Sequence, residues 1–488
     1  MKKNLLTLVA IAYIAVVSQM ISCTSPALIY EPVRTDEPPV HAPHDSTRYK
    51  KDQVIVFFKG EPKPAAIKDL KANIHGQYFD TTKLNIRKCR SCKGYIELWE
   101  APNIHTRIHA DGIAAGTKGS GGTRPVGEDE LAYYSLNFMQ EIPVDPTEIN
   151  LENFKFDSLK KAVNDRSGKK TIRVAVLDTG IDTKQAIDPS YLWTNDGEVS
   201  EEAKADVDDD KNCYTDDSSG WNFIGDNFNL HDDDPKLHGT LVSQYIINEF
   251  ASSTINVVEL MPLKTHDKYG NGDLFTAICA IHYAMENGAN IINASWGFYY
   301  YDDDPHPYLN RLITQELRKE GILFVTAAGN RTARSDNFAK NAYMDEHGIN
   351  IPDSYLRNLE YHNFYPACLS RNYNNVITAT TANNDHVSPT QNYSNKYVDF
   401  GVFPDHVNAT SMRFNFPYPG PDGRPISGSS FAAAIVTGRI GATLPYTAYS
   451  AGLDKRELFI QLDAAPLSKK SSVLEPEHIR LGRLTNHN

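Results

Sequence analysis

The chain has 488 residues, of which 41% are hydrophobic and 23% are charged, and this length is enough for one large globular domain and a smaller one. Its formal net charge is −12, and no dense face of lysine and arginine is interleaved with aromatic residues, so a phosphate backbone would be repelled. Nucleic acid is therefore not an expected partner.

The first segment has the features of a cleaved export signal. Lys2 and Lys3 precede the apolar run LLTLVAIAYIAVV, which is too short to span a bilayer. The next residues, MISC at 20–23, resemble a bacterial lipobox, in which the cysteine becomes the lipid-modified first residue; an ordinary secretory signal with a chance cysteine is the alternative. We therefore expect a signal peptide over 1–22 and a lipid on Cys23 that anchors the exported protein to a membrane of the cell envelope, at the outer membrane or cell surface.

Three segments of different character follow this signal. Residues 23–51 are rich in proline and polar residues, which predicts an extended tether. Residues 52–115 contain the strand candidate QVIVFFKG, the helix candidate KPAAIKDLKANI and the strand candidate GYIELWEA, which predict a small α+β unit. Residues 116–160 begin with GTKGSGG, which lacks the GK[ST] ending and preceding strand of a phosphate-binding loop. We interpret this stretch as a linker and processing region.

Residues 161–465 contain short apolar runs that alternate with helical patterns. This arrangement is typical of a buried parallel sheet that is covered on both faces. The helix candidates LFTAICAIHYAMENG and PYLNRLITQELRKEG each end in a glycine suited to a C-cap. The strand candidates are TIRVAVLD, INVVELMPLK, ANIINASW, GILFVTAAG, NVITATTA and YVDFGVFP. The predicted fold class is α/β, a doubly wound and mostly parallel sheet, with the small α+β unit before it and a tail over 466–488.

The chain has six cysteines, five of them besides Cys23, and this odd number means that at least one cannot pair within the chain. The motif CRSC at 89–92 has the spacing of a redox pair or of half a zinc site. No second pair stands at metal-binding spacing, so we expect a structural disulfide or plain thiols.

Three boundaries of predicted elements carry the residue types of a nucleophilic triad. Asp178 ends a buried strand in TIRVAVLDTGID, His238 begins an amphipathic helix in LHGTLVSQYIINEF, and a serine opens the alanine-rich helix of SGSSFAAAIVTG. Each alone is also a common turn, helix-start or N-cap residue. Because reactive groups collect where parallel strands end, the three together predict nucleophilic catalysis. The order acid, histidine, serine and the missing G-x-S-x-G motif disfavour an α/β-hydrolase.

The segments VAVLDTGID, HGTLVS and SGSSFAAAIVTG resemble the three signature blocks of the subtilisin-like serine proteases. The segment ILFVTAAGN is similar to the family's block that ends in the oxyanion-hole asparagine, here Asn330. The segment IINASWG is similar to its substrate-binding strand, here Ser295, Trp296 and Gly297. These five blocks follow in family order across roughly residues 171–465.

The register of the last block identifies the nucleophile. Ser429 takes the place of the family's threonine and Ser430 that of the nucleophilic serine, while Ala434 stands where the family often has a proline. The first change keeps a hydroxyl group and the second only removes a kink, so neither indicates an inactive relative. The resemblance thus implies a triad of Asp178, His238 and Ser430.

The resemblance implies a serine endopeptidase that hydrolyses peptide bonds through an acyl-enzyme intermediate and needs no cofactor for the chemistry. An extended or unfolded peptide substrate would lie as an added strand along Ser295–Gly297. A non-catalytic peptide-binding protein of the same fold, and an esterase or lipase, are the alternatives. The α+β unit is similar to the family's propeptides, with a cut expected within 101–150; a permanently attached domain is the alternative.

Two further segments resemble parts of the same family. Tyr365-Pro366-Ala367 is similar to a segment in which the bond before proline is cis. The acidic run at 206–223 is similar to a loop of some members, and its oxygen spacing is like that of a calcium loop. Since Lys211 stands where an EF-hand needs glycine, a solvated acidic loop is the alternative. The predicted ligands of a structural calcium ion are Asp206, Asp208, Asp210, Asn212 and Asp217.

Overall fold

The computed structural model describes the greater part of the chain between residues 49 and 449. The described residues are 49–58, 60, 64, 84–90, 95–105, 131–142, 164–200, 203–299, 306–331, 336, 340, 344, 348, 350, 355–361, 363–373, 375–383, 385–404, 406–407, 414–417, 425–449, 468–469, 479–480 and 482–484. The predicted signal peptide, Cys23 and nearly all of the tether lie outside them. In the part that is described, no helix has the length and apolar character needed to cross a membrane.

The strands and helices are numbered in chain order. The strands are β1 (Tyr49–Phe58), β2 (Asn85–Lys88), β3 (Ile96–Glu100), β4 (Leu131–Glu141), β5 (Lys170–Asp178), β6 (Trp221–Asn222), β7 (Asn256–Lys264), β8 (Asn271–Asp273), β9 (Ile291–Ala294), β10 (Phe298–Tyr299), β11 (Leu323–Ala327), β12 (Phe364–Tyr365), β13 (Val376–Thr381), β14 (Phe400–Val402), β15 (His406–Val407), β16 (Phe414–Pro417), β17 (Pro425–Ile426), β18 (Ser468–Lys469) and β19 (Gly482–Leu484). The α-helices are α1 (Asp196–Val199), α2 (His238–Phe250), α3 (Leu274–Glu286), α4 (Pro307–Arg311), α5 (Leu317–Lys319) and α6 (Ser429–Thr443), with a π-helical turn at Leu312–Glu316 between α4 and α5.

A nine-stranded sheet in the order β18-β19-β14-β13-β11-β9-β5-β7-β6 forms the centre of the fold. Its neighbouring strands are parallel, except for the antiparallel pair β18–β19. Helices α2 and α6 pack on one face, where Leu241 and Ile435 join Val176 in one hydrophobic cluster. Helices α3 and α4 pack on the other, where Ile281 joins Leu177. The predicted doubly wound α/β class is confirmed.

The predicted strands of this sheet are β5, β7, β9, β11, β13 and β14. Continuous apolar runs identify them because side chains on both faces of such strands are buried, as all nine residues of β7 are. The predicted tail over 466–488 contributes β18 and β19 to the same sheet, which corrects that boundary. The strands in the tail are two and three residues long, too short to give a periodic pattern.

Helix α6 lies at the centre of the domain, as its small side chains predict. Every residue from Ser429 to Ala442 is buried. The Thr437 hydroxyl donates to Asn293 Oδ1 at 2.9 Å, and Arg439 forms a buried ion pair with Glu249 of α2 at 2.8 Å. These contacts fix the position of the serines at the start of the helix.

A second sheet has the order β2-β3-β1-β4-β8. Its strands β1 to β4, which all precede the main domain in the chain, are here called the N-terminal sheet, and β8 is the strand of the main domain that pairs with it. Strand β1 alternates between its two faces, with Ile55 and Phe57 in the same cluster as helix α3 and with Val56 in a separate cluster around Trp99. The predicted strands QVIVFFKG and GYIELWEA are β1 and β3, while the predicted helix over 63–74 lies almost entirely outside the described residues. The predicted small unit is therefore packed directly against the main domain.

Strand β4 corrects the prediction of a linker over 116–160. Residues 131–141 form an eleven-residue strand that pairs antiparallel with β1 and with β8. Its sequence, LAYYSLNFMQE, is rich in aromatic and apolar residues that favour strands. Because residues 116–122 are rich in glycine, the whole stretch is interpreted as a linker and this strand pattern is missed.

A disulfide joins the N-terminal sheet to helix α3 of the main domain. Cys89, directly after β2, is bonded to Cys279 in helix α3 with a Cα–Cα distance of 5.5 Å. Cys89 thus forms a structural disulfide, as expected, but its partner is the distant Cys279 and not the other cysteine of the CRSC motif. Cys213 is also disulfide-bonded, and Cys368 is a buried thiol whose pKa burial raises to about 12.

Candidate active site

Asp178 and His238 are held together where β5 ends and α2 begins. Asp178 Oδ1 accepts the N–H of Thr179 at 2.8 Å and lies 2.8 Å from His238 Nδ1. The close approach depends on Gly239, since a Cβ atom there would lie 2.4 Å from the carbonyl oxygen of Gly180. The glycine after the histidine therefore allows helix α2 to start against the turn that follows Asp178.

The surroundings of His238 favour its protonated form. Burial lowers the pKa of the imidazole, but the charge and the hydrogen bond of Asp178, with smaller contributions from Asp234 and Asp232, outweigh it, so the pKa is raised above 6.5. The backbone N–H of His238 also donates to Asp234 Oδ2 at 3.1 Å. An imidazole held in this way can accept a proton and retain it while a bond is made beside it.

Ser430 is the second residue of α6 and is 1% exposed. Its hydroxyl donates to the carbonyl oxygen of Ser295 at 3.1 Å, and its own carbonyl accepts the Ser295 hydroxyl at 3.0 Å. The next side chain, Phe431, has its ring centroid 5.3 Å from that of His238. Ser430 therefore lies next in the chain to a ring that is beside His238, at the positive end of a fifteen-residue helix.

Asn330 follows β11 and is fixed by Ser429. Its Oδ1 atom accepts the N–H of Ser429 at 3.0 Å and the Ser429 hydroxyl at 2.9 Å. The Ser429 hydroxyl in turn accepts the N–H of Gly329 at 3.1 Å. With Oδ1 used as an acceptor, Nδ2 is the end of the carboxamide that can donate to an oxyanion at Ser430. The sequence placed Ser429 in the threonine position but did not indicate this orienting role.

Two buried charged residues near the triad were not predicted. Lys264 ends β7 beside Asp178, and its ammonium group donates to the carbonyl oxygens of Thr179 at 2.6 Å and His231 at 3.0 Å. Asp232 accepts the N–H and the hydroxyl of Thr240 at 2.9 and 2.7 Å, and burial raises its pKa to about 6. Both hold the chain around the Asp178–His238 pair. The acidic run at 232–234 just before His238 was the available signal in the sequence.

The predicted substrate strand lies beside Ser430. Ser295 makes the two hydrogen bonds to Ser430, Gly297 follows, and Trp296 is fully buried with its ring 6.0 Å from that of His266. Strand β10 begins directly after Gly297 with Phe298.

The end of β4 lies next to this segment. Gln140 pairs with Gly272 of β8, the N–H of Ile142 donates to the Gly270 carbonyl at 2.9 Å, and Phe138 stacks on Phe298 at 5.6 Å. We call the region in which the end of β4 lies between β8 and Phe298 the cleft. In this cleft the backbone of β8 is paired with residues 139–141 of β4.

The acidic loop at 206–217 gathers a different set of carboxylates from the predicted one. Glu198, Asp208 and Asp210 have oxygen atoms within 4.8 Å of one another, a donor set of the kind that Ca²⁺ prefers. Asp206 is exposed, and Asp217 is buried.

The other predicted ligands in this loop are engaged within the protein. Asn212 donates through Nδ2 to Asp210 at 3.1 Å and to Asp217 at 2.9 Å. Asp217 also accepts from Asn195 and from Tyr283, and burial raises its pKa to about 6. Glu198 was missed because it precedes the acidic run and belongs to the short helix α1.

The family model of the subtilases (peptidase S8) matches residues 169–454. The chain belongs to this family. The bond between Tyr365 and Pro366 is cis, as the resemblance to subtilisin-like proteases predicts.

Curated relatives and solved structures agree with this assignment. The chain is 28% identical over 298 residues to subtilisin-like protease 1 of Plasmodium falciparum (isolate 3D7), a match that covers 59% of this chain and 39% of the relative. It is 26% identical over 306 residues to an intracellular serine protease of Paenibacillus polymyxa, covering 62% of this chain and 76% of the relative. Fervidolysin from Fervidobacterium pennivorans, a keratinolytic enzyme related to subtilisin, aligns with 90% of this chain and 61% of its own at 15% identity and a TM-score of 0.50, a likeness of fold.

Proposed function

We propose that this subtilase is an exported, lipid-anchored serine endopeptidase. The observation that carries the proposal is the 2.8 Å contact between His238 Nδ1 and Asp178 Oδ1 beside Ser430 at the start of the central helix. Rotation of the Ser430 side chain turns its hydroxyl from the Ser295 carbonyl towards His238. His238 then accepts the proton as Ser430 Oγ attacks a peptide carbonyl, a general-base role that contributes about 10²- to 10⁴-fold in rate.

The attacked carbonyl oxygen becomes negatively charged as the tetrahedral intermediate forms. Asn330 Nδ2 and the N–H of Ser430 donate to this oxygen, and the positive end of α6 stabilises it further. His238 returns its proton to the leaving amine, which releases the first product and leaves an acyl group on Ser430. Water then attacks this ester while His238 accepts its proton, and His238 returns that proton to Ser430 Oγ as the second product leaves.

An extended peptide is the substrate that this cleft suits. The segment Ser295–Gly297 runs beside the nucleophile, and β8 shows that the opposite wall pairs with an extended chain, because it does so with Met139–Glu141. Main-chain hydrogen bonds of this kind favour unfolded segments or loops over small esters.

Labelling by a serine-directed fluorophosphonate tests the proposal. Wild-type protein should be labelled at Ser430 and should cleave casein, and both properties should be lost in Ser430→Ala. Ser427→Ala, a nearby buried serine, should keep both. A folded wild type that is inert to the probe would instead support a peptide-binding protein, and fast turnover of short esters without casein cleavage would support an esterase.

Export and anchoring rest on the sequence of residues 1–23. The apolar core, the small residue Ser22 and Cys23 together favour processing as a bacterial lipoprotein. In a bacterial host that lipidates exported proteins, wild type should incorporate labelled fatty acid and sediment with membranes. Cys23→Ala should do neither, whereas Cys368→Ala should behave as wild type.

The N-terminal sheet serves this protease as a retained domain that covers the cleft. Its contacts with the main domain include the ion pair of Lys50 with Asp273 at 2.6 Å and the hydrogen bond from the N–H of Phe275 to Asn137 at 3.1 Å, in addition to the disulfide. The pairing of β4 with β8 uses backbone groups that a substrate would also use. Release of Met139–Ile142 from β8 is therefore needed before a long substrate can bind there.

A structural calcium ion is proposed at Glu198, Asp208 and Asp210. The three carboxylates supply negatively charged oxygen ligands, and the ion would stabilise the loop before His238 without taking part in the chemistry. Calcium-dependent thermal stability is the corresponding measurement.

A further inference from the structure

Two segments flank the nucleophile and leave a gap between them. The segment Ser295–Gly297 lies on one side, where hydrogen bonds between Ser295 and Ser430 hold it. Gly329 and Asn330 lie on the other, through the hydrogen bonds of both residues to Ser429. When Ser430 attacks a peptide carbonyl, the side chain of the residue that supplies this carbonyl must enter the gap or point to solvent.

The ring of Phe364 occupies this gap. A Cβ atom placed on Gly297 would lie 2.3 and 2.4 Å from its Cε1 and Cζ atoms, and one placed on Gly329 would lie 2.9 Å from Cε1. Both glycines are therefore covered by the same aromatic ring. Phe364 as a whole is only 3% exposed. The absence of side chains at 297 and 329 does not leave an open pocket, because Phe364 fills the space between them.

The ring is held in place by the surrounding residues. Phe364 lies in β12 and pairs with Tyr299 of β10, whose ring is 5.0 Å away in an edge-to-face arrangement. The Tyr299 hydroxyl accepts from Arg331 at 3.0 Å and from Asn392 at 3.0 Å. The Arg331 guanidinium also lies 4.5 Å from the centroid of the Tyr299 ring. Phe364 is therefore part of a packed layer. A change of its side-chain rotamer would disturb Tyr299 and, through it, Arg331 and Asn392.

We infer that Phe364 determines specificity by restricting the residue whose carbonyl is attacked to a small side chain. Glycine, alanine and serine fit above the ring, whereas leucine, phenylalanine and tyrosine would have to displace it. The inference rests on the proposed peptidase function and adds the class of peptide that is cut. It concerns the gap between Gly297 and Gly329, and does not depend on how the N-terminal sheet is released.

Peptides that differ only at this residue test the inference with the full-length protein. The internally quenched substrates carry glycine, alanine, serine, leucine or phenylalanine before the cleaved bond, and kcat/KM is measured for each. Wild type should cleave after alanine at least about 10- to 200-fold better than after phenylalanine, because a single extra methylene group in an apolar pocket is already worth that range. Phe364→Ala should gain at least about 10-fold for phenylalanine relative to alanine.

Control variants separate specificity from folding. Phe364→Leu keeps an apolar side chain of intermediate size and should shift the preference part of the way. Phe250→Ala removes a buried ring at the far end of α2 and should leave the ratio of the two kcat/KM values unchanged. Stoichiometric fluorophosphonate labelling counts the folded active sites in each preparation, so that a loss of folded protein is not mistaken for a change in preference.

Two outcomes overturn the inference while the proposed function stands. One is a labelled wild type that cleaves after phenylalanine or leucine as well as after alanine. The other is a labelled Phe364→Ala with an unchanged ratio. Wild-type protein that is folded but not labelled would overturn the proposed function itself, and this inference with it.

Discussion

Cys89 of the N-terminal sheet and Cys279 of helix α3 are joined across 190 residues of sequence by a disulfide. Every backbone cut between β4 and β5 leaves this bond intact. The N-terminal sheet can therefore be separated in the sequence from the main domain without being released from it.

A cut engineered into residues 143–163 should leave both fragments in one covalent species. With a recognition site for a specific protease inserted there, the digested full-length protein should migrate as one band on a denaturing gel without reductant and as two bands with reductant. The physical reason is that denaturation removes the strand pairing and packing but not the disulfide.

Cys368→Ser provides the matched control, since Cys368 is a thiol outside this link, and it should give the same two gel patterns. Two bands without reductant would show that the sheet is held by non-covalent contacts alone and would favour a releasable propeptide.

Protonation of His306 in acid should weaken the packing of the N-terminal sheet on the main domain. Its Nε2 atom lies 2.7 Å from the Ser135 hydroxyl of β4, its ring is 6.1 Å from Phe57, and burial lowers its pKa to about 4 from 6.5. A depressed histidine pKa means that the unfolded chain binds the proton first, so stability is complete above pH 6.5 and is lost as the pH falls towards 4. At full extent the gap between the two pKa values corresponds to about 3 kcal/mol.

His306→Asn should reduce this loss, because asparagine can still cap α4 but does not titrate. Urea unfolding at pH 7.5 and pH 4.5 measures the difference in free energy of unfolding for wild type and variant. Comparing the two proteins cancels the other buried groups, including His266 and His282, whose pKa values burial also lowers to about 4. An equal loss in both proteins would contradict the assignment to His306.

The residues that the sequence predicted well are those whose environment is set by local pattern. Buried parallel strands require continuous apolar runs, so a polar residue at a strand end such as Asp178 is conspicuous. His238 and Ser430 each stand at the first turn of a helix, where side chains point towards the carboxyl edge of the sheet. The main sheet, and the strand and helix ends that carry Asp178, His238 and Ser430, could therefore be located before any coordinates.

The features that the sequence did not predict depend on tertiary contacts. Pairing of Cys89 with Cys279 follows from the packing of the N-terminal sheet on helix α3 and has no local signal. Strand β4 is stabilised by β1 and β8, and Glu198 joins Asp208 only because a loop folds back. Phe364 reads as an ordinary buried aromatic residue until the two glycines that it covers are known.

Replacing Asp178 should affect both the rate and its pH dependence. Asp178→Asn removes the charge that raises the pKa of His238, and the imidazole must be neutral to accept the proton of Ser430. The acid limb of kcat/KM should therefore move to lower pH, while kcat falls by about 10⁴-fold because an amide no longer holds the imidazole in the required tautomer or stabilises the imidazolium.

A pH profile from 5 to 9 with one peptide substrate measures both effects of Asp178→Asn. Asp182→Asn, a buried carboxylate on the same turn that accepts backbone N–H groups, is the matched control and should leave the position of the acid limb unchanged. A profile that drops in height without moving would show that Asp178 does not set the pKa of His238.

Calcium should raise the melting temperature through the carboxylates of the acidic loop. Adding calcium after chelation should stabilise the wild type by RT ln(1 + [L]/Kd), about 2.7 kcal/mol at a hundredfold excess over Kd. Asp208→Ala should abolish the response, since it removes one of three carboxylates within 4.8 Å, whereas Asp206→Ala should keep it. Equal melting temperatures of wild type with calcium and with chelator would favour the solvated acidic loop.

Asn330 and Ser429 should act as a pair in stabilising the oxyanion. Asn330→Ala removes a donor that is useful only when the carbonyl oxygen becomes charged, so kcat should fall about 10²- to 10³-fold with little change in KM. Ser429→Ala leaves the donor but removes the hydroxyl bonded to Asn330 Oδ1 at 2.9 Å, and should cause a smaller fall, which Ser429→Thr should restore. In the double variant the loss should match that of Asn330→Ala alone, because Ser429 acts through Asn330. Losses that simply add in steady-state kinetics would show that the two side chains work independently.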